Sequence, residues 1–580
     1  MIESPAPTGQ FALLSQRRFL PFFLTQFLGA ANDNLFKFAL TVLVTYQLQL
    51  NWLPPKMAGL VIGALFILPF VLLSASAGQW ADKYDKALIM RQVKLLEISV
   101  MVLAGVGFWL QNVPLLLLCV SLMGFHSTLF GPVKYAYLPQ HLSERELTGG
   151  NGMVEMGTFV AILLGQVAGG LMISMPRSGA TWVAITCFVV AVLGWLVALR
   201  IPASPSSDPG LKLNWNPASE TWRNLKLAAQ QPSVFLSLLA ISWMWFFGAV
   251  FLSQFPSFAR DVLGGDEQVA SLLLVVFSVG VAIGALLCET FSDRQVEIGL
   301  VPIGAVGMSV FAFDLYLSVN GLVHQGDTLL SVGAFVSHRD NWRVMGDLAL
   351  LAFSVGLYSV PMYALIQLRS KASHRARIIA ANNILNALFM IVSSLMAGAL
   401  LAAGFSIPDV FGITALLNVV VAGLVFCLMP EYMVRLVMLV VARIICRLKV
   451  RGAEHLPTEG AAVIFCNQLS WVDVVVLATS SPRQIIFGMD QRTFNTPGMA
   501  WFFKAIHAIP VVSHTDDPQA HERAIDRARR VLVDGGLLCL FSGVDTMKVL
   551  VTHPAPVIGA RRPRVGLLVW EPIAADELPR

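Results

Sequence analysis

Two oppositely charged side chains stand in the middle of the first long apolar segment of the chain. Asp33 and Lys37 belong to the stretch QFLGAANDNLFK (residues 26–37), which has apolar runs on both sides. If this segment crosses a bilayer, each charge costs at least about 2.5–3.5 kcal/mol, so such groups normally face a bundle interior or a watery cavity. Their i, i+4 spacing puts both side chains on one helical face, where they partly neutralise each other.

This pair has two interpretations. A structural ion pair would fix the packing of helices, whereas a polar lining would face a path through the membrane. Asn32 and Asn34 add uncharged donors and acceptors beside the two charges. The remainder of the chain favours the second interpretation.

The composition places most of the chain in lipid. Of its 580 residues, 56% are hydrophobic and only 13% are charged, and the mean hydropathy is +0.70. Soluble domains carry about 25% charged residues. The net charge of +5 is small and its basic residues are dispersed, which argues against a nucleic-acid partner. Seven scattered cysteines show no metal or disulfide spacing, so no metal site and no cofactor are expected.

Twelve apolar segments of spanning length occur before Pro430, and a polar connector, residues 201–231, separates the sixth from the seventh. Six spans, a connector and six spans are typical of a pseudo-symmetric transporter. The segments are residues 20–48, 58–79, 88–110, 112–138, 151–174, 178–200, 232–259, 267–290, 297–319, 344–368, 379–404 and 407–429.

Basic residues predict the orientation of these spans. With the N-terminus in the cytoplasm, the connections on the inner side carry most of the lysines and arginines, which places both termini in the cytoplasm. The first span is too long for a signal peptide and lacks a cleavage site, so it is expected to be retained. The inner-side basic residues are Lys83, Lys86, Arg91, Lys212, Arg223, Lys226, Arg294, Arg369, Lys371, Arg375 and Arg377.

The loop after the second span, GQWADKYDK (residues 78–86), resembles the loop 2–3 signature of the major facilitator superfamily. Gly78, Asp82, Lys83 and Lys86 match that signature, and Asp85 replaces its second glycine. A glycine permits close helix approach, and an acid followed by bases can bridge neighbouring helix ends, so we expect these residues to latch an inner gate. The corresponding place in the second half, ETFSDR (residues 289–294), matches only weakly.

Four further stretches resemble the lysophospholipid transporter branch of that superfamily: NDNLFK (residues 32–37), GPVKYAYLPQH (131–141), VEIGLVPIG (296–304) and RIIAANNILN (377–386). The resemblance covers roughly residues 15–430. It implies a twelve-span major facilitator fold at residues 1–430, with halves at about 15–200 and 232–430. It also implies inward movement of lysophospholipids, chiefly lysophosphatidylethanolamine, across a bacterial inner membrane.

A lysophospholipid has an anionic phosphodiester, often a cationic amine, and one acyl chain. Lys37 and Lys134 are candidate partners of the phosphate, and Asp33 and Glu155 are candidate partners of the amine. Glu97 and Asp314 are further intramembrane acids, each either a packing partner or an ion-coupling site. Asparagines that could bind the glycerol are Asn382, Asn383 and Asn386, and aromatics that could border the acyl chain or simply pack are Trp243, Trp245, Phe246 and Phe247.

Beyond residue 430 the pattern changes. Residues 431–450 mix apolar and basic residues, which favours an interfacial helix on the inner leaflet. Strand-like runs at 461–467 and 536–541 and a helix-like run at 520–533 then predict a small cytosolic α/β domain over residues 451–580.

This last domain resembles the PlsC-like glycerophospholipid acyltransferases, but its motifs are damaged. The stretch NQLSWVD (residues 467–473) has Gln468 where the family has its histidine base, and an amide has no useful basicity near neutral pH. Asp473 is left with no imidazole to orient. The stretches IPVVSH (509–514) and FSGVDT (541–546) lack the arginine of one family block and the glutamate and arginine of another. We therefore expect a degenerate domain without acyltransferase activity.

The sequence as a whole predicts a lysophospholipid flippase that works by alternating access, as a monomer. One alternative is a bifunctional transporter and acyltransferase, and another is a drug exporter of the same fold. The expected partners are a lysophospholipid, membrane lipids and, for the C-terminal domain, a separate acyltransferase or acyl carrier protein. The coupling ion is not identified by the sequence.

Overall fold

The structure, a computed structural model, describes most of residues 9–428 and parts of the remainder. The described residues are 9–48, 50, 52–53, 55–292, 296–320, 329–428, 436, 449–451, 461–466, 477–478, 485–495, 500–512, 516–533, 536–541 and 566–568. The chain divides into two compact units, a helical unit (1–296 and 303–425) and a second unit (297–302 and 426–580).

Each of the twelve predicted apolar segments lies on a helix. Eleven of the described helices are long and apolar enough to cross a membrane, and α3, which has two charged residues near its centre, packs among them. The first half contains α1 (Leu20–Val42), α2 (Pro55–Lys83), α3 (Lys86–Trp109), α4 (Val113–His141), α5 (Glu144–Ile173) and α6 (Gly179–Ala198). The connector contains α7 (Pro217–Ala229), and the second half contains α8 (Pro232–Ser257), α9 (Glu267–Phe291), α10 (Leu300–Val319), a short α11 (Val332–Ser337), α12 (Asp340–Arg369), α13 (Arg375–Ala402) and α14 (Ile407–Leu428).

Polar caps set several helix starts. Asp85 accepts a hydrogen bond from the backbone N–H of Leu88 and begins α3, and Asn112 begins α4 in the same way. Ser143 and Glu146 form a capping box at the start of α5. Because such polar turns belong to the helices, α5 begins seven residues before the predicted segment, at Glu144.

The two halves meet through small and amide side chains. Gly78 of α2 packs so closely on α13 that a Cβ there would lie 2.6 Å from Cβ of Ala380. In α5, Asn151 exchanges two hydrogen bonds with Gln367 of α12, of 2.7 and 3.1 Å. The connector binds the same end of the bundle, since the backbone N–H of Asp208 donates to the carbonyl of Asp82. We call this the connector end, and here the halves are closed against each other.

The second unit contains both strands and helices, as the strand and helix pattern predicted, and its described strands pair in parallel. Its four-stranded sheet has the order β2-β5-β3-β4, with β5 central and buried, and β1 pairs with β6 separately. The strands are β1 (Lys449–Arg451), β2 (Ala462–Cys466), β3 (Ile485–Asp490), β4 (Ile509–Val511), β5 (Leu537–Phe541) and β6 (Gly566–Leu568). The helices are α15 (Gln491–Phe494), α16 (Ala500–Ala505) and the amphipathic α17 (Pro518–Val533).

Several predictions for this unit lie outside the described residues. They concern Gln468, Asp473, His514 and most of the interfacial helix at 431–450.

Candidate functional site: a polar centre between two helical halves

Asp33 and Lys37 lie on one face of α1, as predicted, but they do not contact each other as an ion pair in the described structure. Asp33 is 7% exposed, and its Oδ2 accepts a 2.5 Å hydrogen bond from Ser127 Oγ of α4. The ammonium of Lys37 lies 3.6 Å from the centroid of the Phe66 ring, a cation–π contact. The two charges still interact electrostatically, as expected, although each has a closer partner on a neighbouring helix.

Lys134 and Glu155 lie side by side near the centre of the bundle, each bonded to an uncharged partner. The ammonium of Lys134 donates to Thr158 Oγ1 at 3.0 Å. The hydroxyl of Tyr135 donates to Glu155 Oε2 at 3.4 Å. Oppositely charged groups are thus held close without a direct ion pair within the described contacts, so both can turn toward a charged ligand.

The same centre joins the two halves. The rings of Tyr135 (α4) and Tyr363 (α12) stack with centroids 4.4 Å apart and planes 3° apart. Trp245 of α8 donates from Nε1 to the Tyr363 hydroxyl at 3.3 Å. Asn383 of α13 faces α4 so closely that a Cβ on Gly131 would lie 2.5 Å from its Nδ2. Groups from both halves therefore line one place.

Several buried polar atoms in this region have no hydrogen-bond partner among the described residues, and four of them are Asp33 Oδ1, Gln26 Nε2, Glu155 Oε1 and Asn383 Nδ2. Gln26 and Asp33 are two turns apart on α1, and Gln26 Oε1 is bonded to the same Thr158 that binds Lys134. Buried polar groups in folded proteins nearly always have partners. We call these atoms, with Lys134, the polar centre; they mark a place for a polar ligand or water.

Other predicted contact residues serve packing in part. Asn386 accepts a hydrogen bond from Ser242 at 2.8 Å, which ties α13 to α8, and Asn382 is buried on the same face one turn away. Trp243 donates to Asn418 at 2.7 Å and stacks on Phe246, so the packing interpretation holds for these two aromatics.

The structure adds a cluster that the sequence analysis missed. Lys94 donates to Glu97 Oε2 at 2.5 Å, Asn32 donates to Glu97 Oε1 at 2.7 Å, and His126 Nε2 lies 3.1 Å from Glu97 Oε2. With Asp33 and Ser127, these residues form what we call the buried charge network. Glu97 had been noted, but Lys94 and His126 had not, although charged residues inside apolar spans are the signal for such sites.

The predicted gate residues divide into two groups at the connector end. Asp82 accepts from Arg377 Nε at 3.0 Å and from the backbone N–H of Ala376 at 3.1 Å, so it bridges the two halves. Lys86 instead binds the connector, donating to Ser207 at 3.0 Å, and Lys83 lies beside the ring of Tyr84.

Arg377 completes this contact between the halves. It also reaches Asp208 of the connector, at 3.3 Å. Sequence reasoning did not pair Arg377 with Asp82, since 295 residues separate them. We call Asp82, Arg377 and Asp208 the latch.

Asp314 lies away from this centre. It forms an ion pair with Arg343 at 2.5 Å, and the two side chains are 38% and 56% exposed. Of the two roles left open for Asp314, the structure favours the packing partner.

A bundle of two six-helix halves with a polar centre between them is typical of membrane transporters. Residues 22–338 match the Major Facilitator Superfamily, and residues 447–548 match the Acyltransferase family. The first match covers more than half of the chain, so this protein belongs to the major facilitator superfamily and is a multi-pass membrane protein. The expected superfamily and the acyltransferase resemblance are confirmed.

Two lysophospholipid transporters are similar to this chain over most of their own length. The lysophospholipid transporter LplT of Serratia proteamaculans (strain 568) is 27% identical over 365 residues, which are 62% of this chain and 82% of the relative. LplT of Yersinia pestis (strain Pestoides F) is 26% identical over 369 residues, 62% of this chain and 80% of the relative.

Solved structures agree on the fold. The human organic anion transporter MFSD10 (TETRAN) has a TM-score of 0.56 at 13% identity, covering 70% of this chain and 99% of its own. FucP in the outward conformation has a TM-score of 0.54 at 12% identity, covering 71% of this chain and 98% of its own.

Proposed function

We propose that this protein transports lysophospholipids, with lysophosphatidylethanolamine as its main substrate. The observation that carries the proposal is the set of four unpartnered buried polar atoms at the polar centre, contributed by both halves. A zwitterionic headgroup would supply donors and acceptors to these atoms. The similarity to proteins named LplT supports this class of substrate.

The charges at the polar centre suit the two ends of such a headgroup. Lys134, and Lys37 if it turns from Phe66, would bind the phosphate through charge-assisted hydrogen bonds. The free Oδ1 of Asp33 and Oε1 of Glu155 would accept from the ammonium. Asn383 has an amide free to donate to the glycerol. Asn382 and Asn386 lie on the neighbouring face of α13.

Alternating access would carry the headgroup past this centre. In the structure the halves are closed at the connector end by the latch and by the Asn151–Gln367 amide pair. Rocking of the halves would break these contacts and open that end. We propose that the connector end faces the cytoplasm of a bacterial cell, with both termini on that side, so that lysolipid reaches the inner leaflet of the inner membrane.

Transport can be tested in proteoliposomes with labelled lysophosphatidylethanolamine. We expect the wild type to move the lipid across the bilayer and Asp33→Asn and Lys134→Met to lose most of this activity. Asp314→Asn is the matched control, because it removes a carboxylate far from the polar centre. Equal rates in wild type, Asp33→Asn and protein-free vesicles would contradict the proposal, as would drug transport that lysolipids do not inhibit.

The acyltransferase-like part favours a second candidate, the bifunctional enzyme, through its family match over residues 447–548. Because Gln468 replaces the histidine base, we propose that this part is catalytically silent and instead binds lysolipid, a separate acyltransferase or an acyl carrier protein. The purified full chain should transfer no acyl group from acyl donors to lysolipid. An enzyme would need another base, and His514 in the stretch IPVVSH is a candidate, so transfer that survives Gln468→Ala but is lost in His514→Ala would establish the enzyme.

A further inference from the structure

A buried acid of the second half, Glu289, lies at the connector end but outside the latch. It is the first residue of the stretch ETFSDR (residues 289–294), which matches the loop signature of the first half only weakly. Glu289 is 9% exposed and belongs to the last turn of α9, the second long helix of its half. Asp82 has the same place in α2, the second helix of the first half. In a pseudo-symmetric bundle these positions correspond, so a contact between the halves is expected at Glu289 as well.

Glu289 binds the segment that precedes α1. Gln10 begins a short 3₁₀ helix (Gln10–Ser15), which we call the N-terminal turn. The backbone N–H of Gln10 donates to Glu289 Oε2 at 3.0 Å, and its side-chain Nε2 donates to the carbonyl of Leu286 of α9 at 2.9 Å. Because Gln10 is only 6% exposed, little solvent competes for these two hydrogen bonds.

The same segment is fixed to the first half. Just before α1, Arg18 forms an ion pair with Glu146 of α5 at 2.5 Å. The helix α5 also comes close to the N-terminal turn, since a Cβ on Gly149 would lie 2.9 Å from Cβ of Gln10 and 3.0 Å from Cδ of Glu289. The N-terminal turn therefore spans the junction between α5 of the first half and α9 of the second.

Glycines of α5 explain why the donor to Glu289 comes from this turn. Gly149 and Gly152 lie against α9, and a Cβ on Gly152 would be 2.5 Å from the carbonyl oxygen of Ala285. Neither glycine has a side chain that could bind a carboxylate. In the latch, by contrast, α13 supplies the side chain of Arg377.

We propose that Gln10 and Glu289 form a second latch, in which the N-terminal turn holds the connector end closed beside α5 and α9. This inference rests on the alternating access of the proposed function. Opening of that end would separate α9 from α5 and break both hydrogen bonds of Gln10, just as it would break those of Arg377. The two latches share no residue, so their contributions to the free energy of opening should add and their effects on the open population should multiply.

The test measures the ratio of open to closed molecules in the full chain. Spin labels at Arg145→Cys and Lys371→Cys, both exposed at the connector end, report the separation of the halves in lipid nanodiscs, in a background without the seven native cysteines. Gln10→Pro removes both donors, and proline suits the first position of a helix. We expect the ratio to rise about 10- to 100-fold, because a buried hydrogen bond to a carboxylate is lost.

A milder variant and a matched control make this test specific. Gln10→Ala keeps the backbone N–H and loses only the bond to Leu286, so the ratio should rise about 2- to 10-fold even if Gln10→Pro does not fold. Ser15→Ala removes a hydrogen bond within the N-terminal turn, to the carbonyl of Ala12, and should leave the ratio unchanged. A wild-type ratio in the Gln10 variants, or an equal rise in Ser15→Ala, would overturn the second latch.

Combination with Arg377→Gln separates this inference from the proposed function, since no substrate is needed. We expect the increase in the double variant Gln10→Ala/Arg377→Gln to be the product of the two single increases. A double variant no more open than Arg377→Gln would overturn the second latch and leave alternating access intact. No opening in any of these variants would contradict alternating access, and the proposed function with it.

Discussion

Each half of the bundle has a buried polar hub, and the two hubs differ in kind. In the first half, Glu97 joins α1, α3 and α4 through Asn32, Lys94 and His126. In the second half, Asn418 joins α8, α10 and α14: it accepts from Trp243 at 2.7 Å and donates to the carbonyl of Ala305 and to Ser309, at 3.0 and 2.8 Å.

This contrast separates two tasks. An amide hub holds helices together at the modest cost of burying neutral polar groups that are all paired. A charged hub is far more expensive to bury, and replacing such pairs by apolar residues is often neutral or stabilising. Since the second half shows that an amide is enough for packing, we infer that the charges of the first half serve the substrate.

The largest expected effect comes from breaking the charged hub. Glu97→Ala leaves the buried Lys94 ammonium without its carboxylate and should lower the free energy of unfolding by about 3–5 kcal/mol. Asn418→Ala, in the other hub, should cost about 1–3 kcal/mol, because only neutral groups lose partners. Denaturation in mixed micelles measures both. Similar losses in the two variants would remove the distinction between the hubs.

The next effect concerns the contact between the halves. Arg377→Gln removes charge-assisted hydrogen bonds to the buried Asp82, worth about 1.5–3 kcal/mol, so the population open at the connector end should rise about 10- to 100-fold. Spin labels at Arg145→Cys and Lys371→Cys, both exposed at that end, would report the opening in a background without the seven native cysteines. Lys83→Gln is the control, since Lys83 is outside the latch, and an equal shift there would contradict this role of Arg377.

A smaller effect is expected when one residue of each half is changed and lysolipid binding is measured. Lys134→Met should weaken lysolipid binding about tenfold, because one charge-assisted hydrogen bond to phosphate is lost. Asn386→Ala should weaken it less, since Ser242 already occupies its carbonyl oxygen. Equilibrium binding of labelled lysolipid distinguishes the two. A larger loss for Asn386→Ala would place headgroup recognition in the second half.

The sequence predicted the helices well and their side-chain contacts poorly, for physical reasons. Apolar runs of spanning length are set by the bilayer, so each predicted segment fell on a helix. The latch shows what the sequence could not predict. Asp82 was recognised from its loop, but its pairing with Arg377 depends on the packing of helices that are distant in sequence.

Spacing along one helix had the same limit. It placed Asp33 and Lys37 on one face correctly, yet could not show that Asp33 would bind Ser127 and that Lys37 would lie over Phe66. Lys94 and Glu97, at i, i+3, were within reach of the same reasoning, whereas His126 became relevant only through the packing of α4 on α3.

The smallest expected effect tests whether charge as such matters, or only charge at the polar centre. Asp314 and Arg343 form an ion pair as short as that of Lys94 and Glu97, but on an exposed part of the second half. Ion pairs between side chains that are not buried contribute little, because side-chain entropy opposes them. Asp314→Asn should therefore leave the unfolding transition, lysolipid binding and transport unchanged within error. Loss of transport in this variant would mean that charges of the second half also act on the substrate, and the division of tasks between the halves would fail.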